Sequence, residues 1–174
     1  KEDVIRDNEY RYRLSILKKK NRLPPYYDFE QYRAVFRRIA ASTNERTFLA
    51  TMIPQKGVCP DTNLIVRRLR QHPQSGEPVE NIGLGESAFL VGVLNSFACD
   101  YVIRQKITTH LDMHFVYSVP VPRLNNKSVF NGIFNALVAR TARLQSVDSL
   151  FGNLWEKLWL ETWQSTAFWY PSSA

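Results

Sequence analysis

Cysteine is nearly absent from this chain: Cys59 and Cys99 are the only two in 174 residues. That excludes a disulfide framework and favours a reducing, cytoplasmic setting. Cys99 lies in an apolar, helix-like stretch, where a small buried thiol is the usual occupant. Long apolar runs are also missing. The longest, Ala88 to Leu94, is short and contains Gly92, far from the ~18 residues a membrane span needs, so no membrane partner is expected. There is no internal repeat and no low-complexity tract. The chain starts at Lys1 rather than Met and shows no secretory signal, so it reads as a fragment of a longer protein.

Catalytic and cofactor motifs are equally scarce. Gly83-Leu84-Gly85 lacks a third glycine at phosphate-cradling spacing, so it reads as a turn before a helix rather than a cofactor loop. His110 and His114 have the i, i+4 spacing of a zinc-binding helix, but no Glu stands between them and no third ligand is evident. Leu23-Pro24-Pro25-Tyr26 has the shape of the loop that holds a flipped base for amino methylation, yet Leu23 cannot accept a hydrogen bond from an amino group. A Pro-Pro helix stop is the simpler reading. The chain is therefore expected to be non-catalytic by itself, with no bound cofactor and no metal.

What is present is apolar mass and positive charge. Forty-four per cent of the residues are hydrophobic and 13% aromatic, enough to build one core, with or without an appended helical arm. The net charge is +7, and it is unevenly placed. Residues 1–46 carry twelve Lys or Arg against seven Asp or Glu, and residues 87–127 carry four against two, while the remaining segments balance. Such a surface attracts a polyanion, of which nucleic acid is the commonest.

Periodicity predicts a charged helix over 2–20 that ends in Lys18-Lys19-Lys20 and is stopped by Pro24-Pro25. An amphipathic helix is expected over 28–41, capped by Asp28, with Arg33, Arg37 and Arg38 off its apolar stripe. Strands are expected at 47–53, 62–66 and 115–121, and a long binding or solvated loop over 67–86. One central buried helix is expected over 87–106, then helices over 129–144 and 150–163, the last carrying Trp155, Trp159 and Trp163. The fold class is α+β: a small mixed sheet on a central buried helix, with helical segments at both ends.

Within this frame Arg67, Arg68, Arg70, Gln71 and His72 cluster where they could meet base edges or simply be solvated, since Arg pairs with guanine and Gln with adenine. Arg104, Lys106 and His110 suit phosphate contacts that position without specifying. Arg37 and Arg38 complete the candidate DNA-binding set, while Lys18 to Lys20 are read first as an exposed helix end.

Two stretches carry a resemblance. Phe36-Arg37-Arg38-Ile39-Ala40 with Ser42-Thr43-Asn44-Glu45-Arg46-Thr47 and Ile53-Pro54, then Leu94-Asn95-Ser96, Asp100-Tyr101, Arg104-Gln105-Lys106, His110-Leu111 and Val119-Pro120-Val121-Pro122, occur in an order that resembles the C-terminal recognition region of type IIG-like restriction-modification enzymes. The same order resembles TaqI-like specificity domains and phage-exclusion adenine methyltransferases. The resemblance covers residues 32–123. It implies a target recognition domain that grips double-stranded DNA for an N-terminal, S-adenosylmethionine-dependent methyltransferase domain of the parent chain, and leaves open whether the parent also cleaves DNA. It implies a division into a linker (1–27), a recognition core (28–127) and a C-terminal helical arm (128–174). Arg46 is expected to pair with a carboxylate such as Asp100 rather than with DNA. The rivals are a protein interaction module docked through the tryptophan arm, and a metal-dependent nuclease built on His110, Asp112 and His114.

Overall fold

The computed structural model describes residues 28–72, 75, 77–161 and 163. The expected helix over 2–20, the Lys18 to Lys20 run and the Leu23 to Tyr26 loop lie outside them. The class is α+β. The order is β1 (Arg33–Arg37), β2 (Ala50–Ile53), β3 (Asn63–Val66), β4 (Leu69–Gln71), β5 (Pro78–Glu80), then α1 (Leu84–Leu94), α2 (Phe97–Arg104), α3 (Met113–Tyr117), α4 (Asn131–Gln145) and α5 (Gly152–Leu158). β1 is the centre of a three-stranded sheet, β2-β1-β3, and both pairings are antiparallel.

The segment expected as a helix over 28–41 is instead a single 3-10 turn, Asp28–Glu30, followed by β1. The reason is burial on both faces. Arg33, Ala34, Val35 and Phe36 are all buried, and a strand covered on both sides is apolar nearly throughout, so its spacing imitates a helix. Ala34 and Phe36 join Ala50 and Met52 in the core, and the edge ring of Phe36 meets Phe48 at 5.6 Å between centroids. The third strand of the sheet is thus supplied by 33–37, not by the segment near 115. There Asp112 precedes the single short helix α3. Met113 and Val116, three apart, both pack against the core, which a helix allows and alternating strand faces would not.

The expected helix over 87–106 is two helices that meet at 63°. The break is chemical. Asn95 turns its amide onto the outer edge of β2, and Ser96 restarts the helix by accepting from the Cys99 N–H at 3.2 Å. Gly83 opens α1 as the turn expected there, its N–H bonded by the Glu86 carboxylate at 2.9 Å. No single helix among the described residues is long and apolar enough to cross a membrane.

α1 lies between the sheet and α4, which explains its apolar character all round. Phe89 stacks on Phe134 of α4, 5.1 Å between ring centroids. One buried cluster joins Phe36 and Met52 of the sheet, Val91 and Leu94 of α1, Val138 and Ala142 of α4, Leu154 and Leu158 of α5, and Trp163. The C-terminal helices therefore share the core of residues 28–127. α5 is shorter than expected, following a 3-10 turn at Ser149–Phe151, and Trp155, Trp159 and Trp163 pack on one another at 5.2–5.8 Å.

Gly92 lies where α1 packs tightly on α4. A Cβ there would stand 2.6 Å from Thr141 Oγ1 and 2.8 Å from Leu137 Cγ, and Thr141 is itself buried. Gly92→Val is expected to lower the unfolding free energy by about 2–3 kcal/mol through overpacking, measurable by urea titration.

Candidate nucleic-acid interface

The turn from β1 to β2 is held by its own polar side chains. The Asn44 carboxamide oxygen accepts from the Ala41 N–H at 2.8 Å, and the Thr47 hydroxyl donates to the Ala41 carbonyl at 3.0 Å. Asp100, on α2 and 5% exposed, closes this turn against the helix. Its Oδ1 accepts from the Thr47 N–H at 2.8 Å and the Phe48 N–H at 2.7 Å. Its Oδ2 accepts from Arg104 at 3.0 Å, and the Arg46 guanidinium approaches to 3.7 Å. Burial pushes the Asp100 carboxyl up, but the Phe48 amide, Arg104, the Thr47 amide and the charge of Arg46 outweigh it, so its pKa falls below the ordinary carboxylate value. The pairing of Arg46 with Asp100 is the one expected.

The ten candidate DNA-binding residues fall into separate groups. Arg67, Arg68, Arg70, Gln71 and His72 form the first, on a hairpin where a structureless loop was expected. Its register is Leu69 opposite Glu80, Arg70 opposite Val79 and Gln71 opposite Pro78. The hairpin was invisible because each of its pairs contains a charged or prolyl residue, so the short strands give no alternating apolar signal. Backbone bonds from His72 to Glu77 and from Asn81 to Arg68, with an Arg68–Glu80 ion pair at 3.1 Å, hold it. Arg67 and Arg70 are exposed, as is all of β5.

Arg38 and His110 form the second group. The Arg38 N–H donates to the Thr62 carbonyl and its carbonyl accepts from Leu111, while Ile39 bridges His110. An extended residue sends both backbone groups to the same side, so residues 109–111 continue the sheet on the β3 side. Arg38 also pairs with Asp112 at 3.2 Å. The remaining three are tied elsewhere. Arg37 donates to the Arg46 carbonyl at 2.9 Å, Arg104 to Asp100 and the Glu45 carbonyl, and Lys106, which is exposed, to Ser118 at 2.7 Å. A single continuous cationic face built from all ten is not what the fold makes. Arg67 and the hairpin follow one end of β3, and Arg38 with His110 stands beyond its other end.

His110 precedes α3 and contacts Thr109, whereas His114 lies on α3 against Phe115. The two histidines therefore do not share a helix. Among the described residues no three His, Cys, Asp or Glu side chains are grouped to hold a metal ion.

Two residues that sequence reasoning did not assign protect the outer edge of β2. The Asn95 carboxamide accepts from the Ala50 N–H at 3.1 Å and donates to its carbonyl at 2.7 Å. Gln145 accepts from the Met52 N–H at 3.0 Å. Asn95 stands in the Leu94-Asn95-Ser96 stretch of the resemblance without a role, and Gln145 gives no signal beyond an amide at a helix end.

No family model, no curated protein and no solved structure matches the chain.

Proposed function

We propose that the chain is a DNA target recognition domain, a fragment of a restriction-modification-type adenine methyltransferase, that holds duplex DNA along the outer edge of β3. The observation that supports this most is the placement of basic side chains at both ends of that edge. Arg67 and Arg70 stand on the hairpin at one end, and Arg38 with His110 at the other. Four strand residues separate them, a span of about 13 Å, which a duplex lying along the edge bridges within half a turn of roughly 17 Å. β3 has no strand partner on that side among the described residues. The hairpin is a two-stranded ribbon of the width the major groove admits, and its exposed Arg70 is of the residue type that reads guanine edges.

Chemistry belongs to the parent's methyltransferase domain and its S-adenosylmethionine; this fragment positions the duplex. Free Cys59 and Cys99 accord with a reducing cytoplasm. The rival reading, a protein interaction module, draws on exposed Val129, Phe130 and Ile133 at the start of α4, and it predicts no retention of duplex DNA.

Fluorescence anisotropy with a labelled duplex separates the two. For roughly three phosphate contacts from arginines, affinity is expected to drop about 40-fold between 50 and 200 mM salt. Arg67→Ala/Arg70→Ala is expected to flatten the slope of log K against log salt by about two. Absence of salt-dependent binding sinks the proposal.

A further inference from the structure

α2 buries Cys99 and Ile103 and turns its other face outward. On that face Phe97 is 80% exposed and Tyr101, one turn on, 66% exposed. The two are about 6 Å apart along the helix axis, close to two stacked base steps of ~3.4 Å. Phe97 is not loose. The Arg46 guanidinium carbon sits 4.7 Å from its ring centre, and Arg46 is itself anchored by the Asn95 carbonyl at 2.6 Å and by Asp100. Arg104 lies one turn beyond Tyr101. Lys106 then reaches Ser118, whose neighbour Tyr117 is 78% exposed. The acidic residues here are Asp100, which is buried, and Glu45, which is exposed and whose backbone carbonyl receives Arg104.

We propose that Phe97 and Tyr101, set among Arg46, Arg104 and Lys106, form a stacking platform for an unpaired stretch of DNA strand. Exposed rings on a rigid helix, interleaved with cations, match the chemistry that grips single strands: bases stack on the rings while phosphates meet the charges. A duplex offers the cations its phosphates but keeps its base faces inside the stack, so it leaves both rings unused. A second copy of this chain would bring its own +7 charge toward the same cations, and repulsion disfavours it. The inference rests on the reading of the chain as DNA-binding. An enzyme that extrudes its target base leaves the opposite base without its partner, and this ridge offers an unpaired base a surface to stack on.

The test is anisotropy of a fluorescein-labelled oligothymidine of roughly 12 nucleotides titrated with the 174-residue chain. Phe97→Leu/Tyr101→Leu keeps the surface apolar but removes the rings, and is expected to weaken binding about 30-fold or more. Phe97→Trp/Tyr101→Trp is expected to bind at least as well as the unaltered chain, which keeps the test decisive even if the leucine variant folds poorly. A flush-ended duplex should bind the leucine variant normally and the Arg67→Ala/Arg70→Ala variant weakly. If the unaltered chain binds the duplex but not oligothymidine, or if the leucine variant binds oligothymidine unchanged, the platform is overturned and the duplex reading stands. Binding to neither overturns both. Sedimentation supplies the last outcome: a dimer that the leucine substitutions dissolve assigns the ridge to protein contact and overturns the proposal.

Discussion

Asp100→Ala is expected to destabilise the fold by about 3–5 kcal/mol, the cost of stripping one partner from a buried, paired charge. The carboxylate serves the Thr47 and Phe48 amides, Arg104 and Arg46 together. Thr47 is 0% and Phe48 0% exposed, so water cannot readily replace the lost acceptor, and an unmade buried hydrogen bond costs more than a made one contributes. Asp100→Asn separates shape from charge: it preserves one acceptor oxygen but not the ionic half of the arrangement. Its loss should be intermediate, read from urea midpoints at pH 7.

The same residue sets part of the acid limb. Its pKa in the folded chain lies below the ordinary value, so the unfolded chain takes up the proton first as pH falls. The stability Asp100 contributes is fully present above about pH 4, the unfolded carboxylate range, and is lost as pH falls through the lower folded value. Unfolding midpoints of the unaltered chain should therefore drop below pH 4 more steeply than those of Asp100→Asn. Parallel acid limbs in the two proteins would contradict this.

How much of this could be read from the chain varies by element. The α+β class, the strand at 62–66, the helix at 129–144 and the central position of the helix after Gly83 were legible because apolar spacing there agrees with the local backbone. Arg46 with Asp100 was legible as a charge pair. The β1 segment was not, because a strand buried on both faces loses its alternation. The hairpin at 69–80 was not, because three-residue strands with a charged or prolyl member in every pair leave no pattern. The Phe115 to Tyr117 run favours strands by composition, yet Met113 and Val116, three apart, both meet the core, which suits one helical turn. Among the candidate site residues, exposure could not be read at all: Arg37 and Arg104 look like Arg67 in the sequence, but both also hold backbone carbonyls, and Arg104 holds Asp100.

Asn95→Leu is expected to cost about 2–4 kcal/mol, because it deprives both backbone groups of Ala50 of their partners, and to change how the chain associates. β2 is an edge of the sheet, and an uncovered edge is a template for another strand. Asn95 behaves as a one-residue strand there, accepting from the Ala50 N–H and donating to its carbonyl while also donating to the Val91 carbonyl at 3.0 Å. Gln145 guards the next position, and it accepts from Thr51 Oγ1 at 2.6 Å as well as from the Met52 N–H. With Asn95→Leu the Ala50 groups reopen beside an apolar side chain, whereas Gln145→Leu opens only Met52 and should cost about half as much. Size-exclusion chromatography with light scattering at increasing concentration reads the second effect. Larger species are expected from Asn95→Leu/Gln145→Leu at concentrations where the unaltered chain shows none, and an unchanged profile would mean that α1 and α4 shield the edge without help from the two amides.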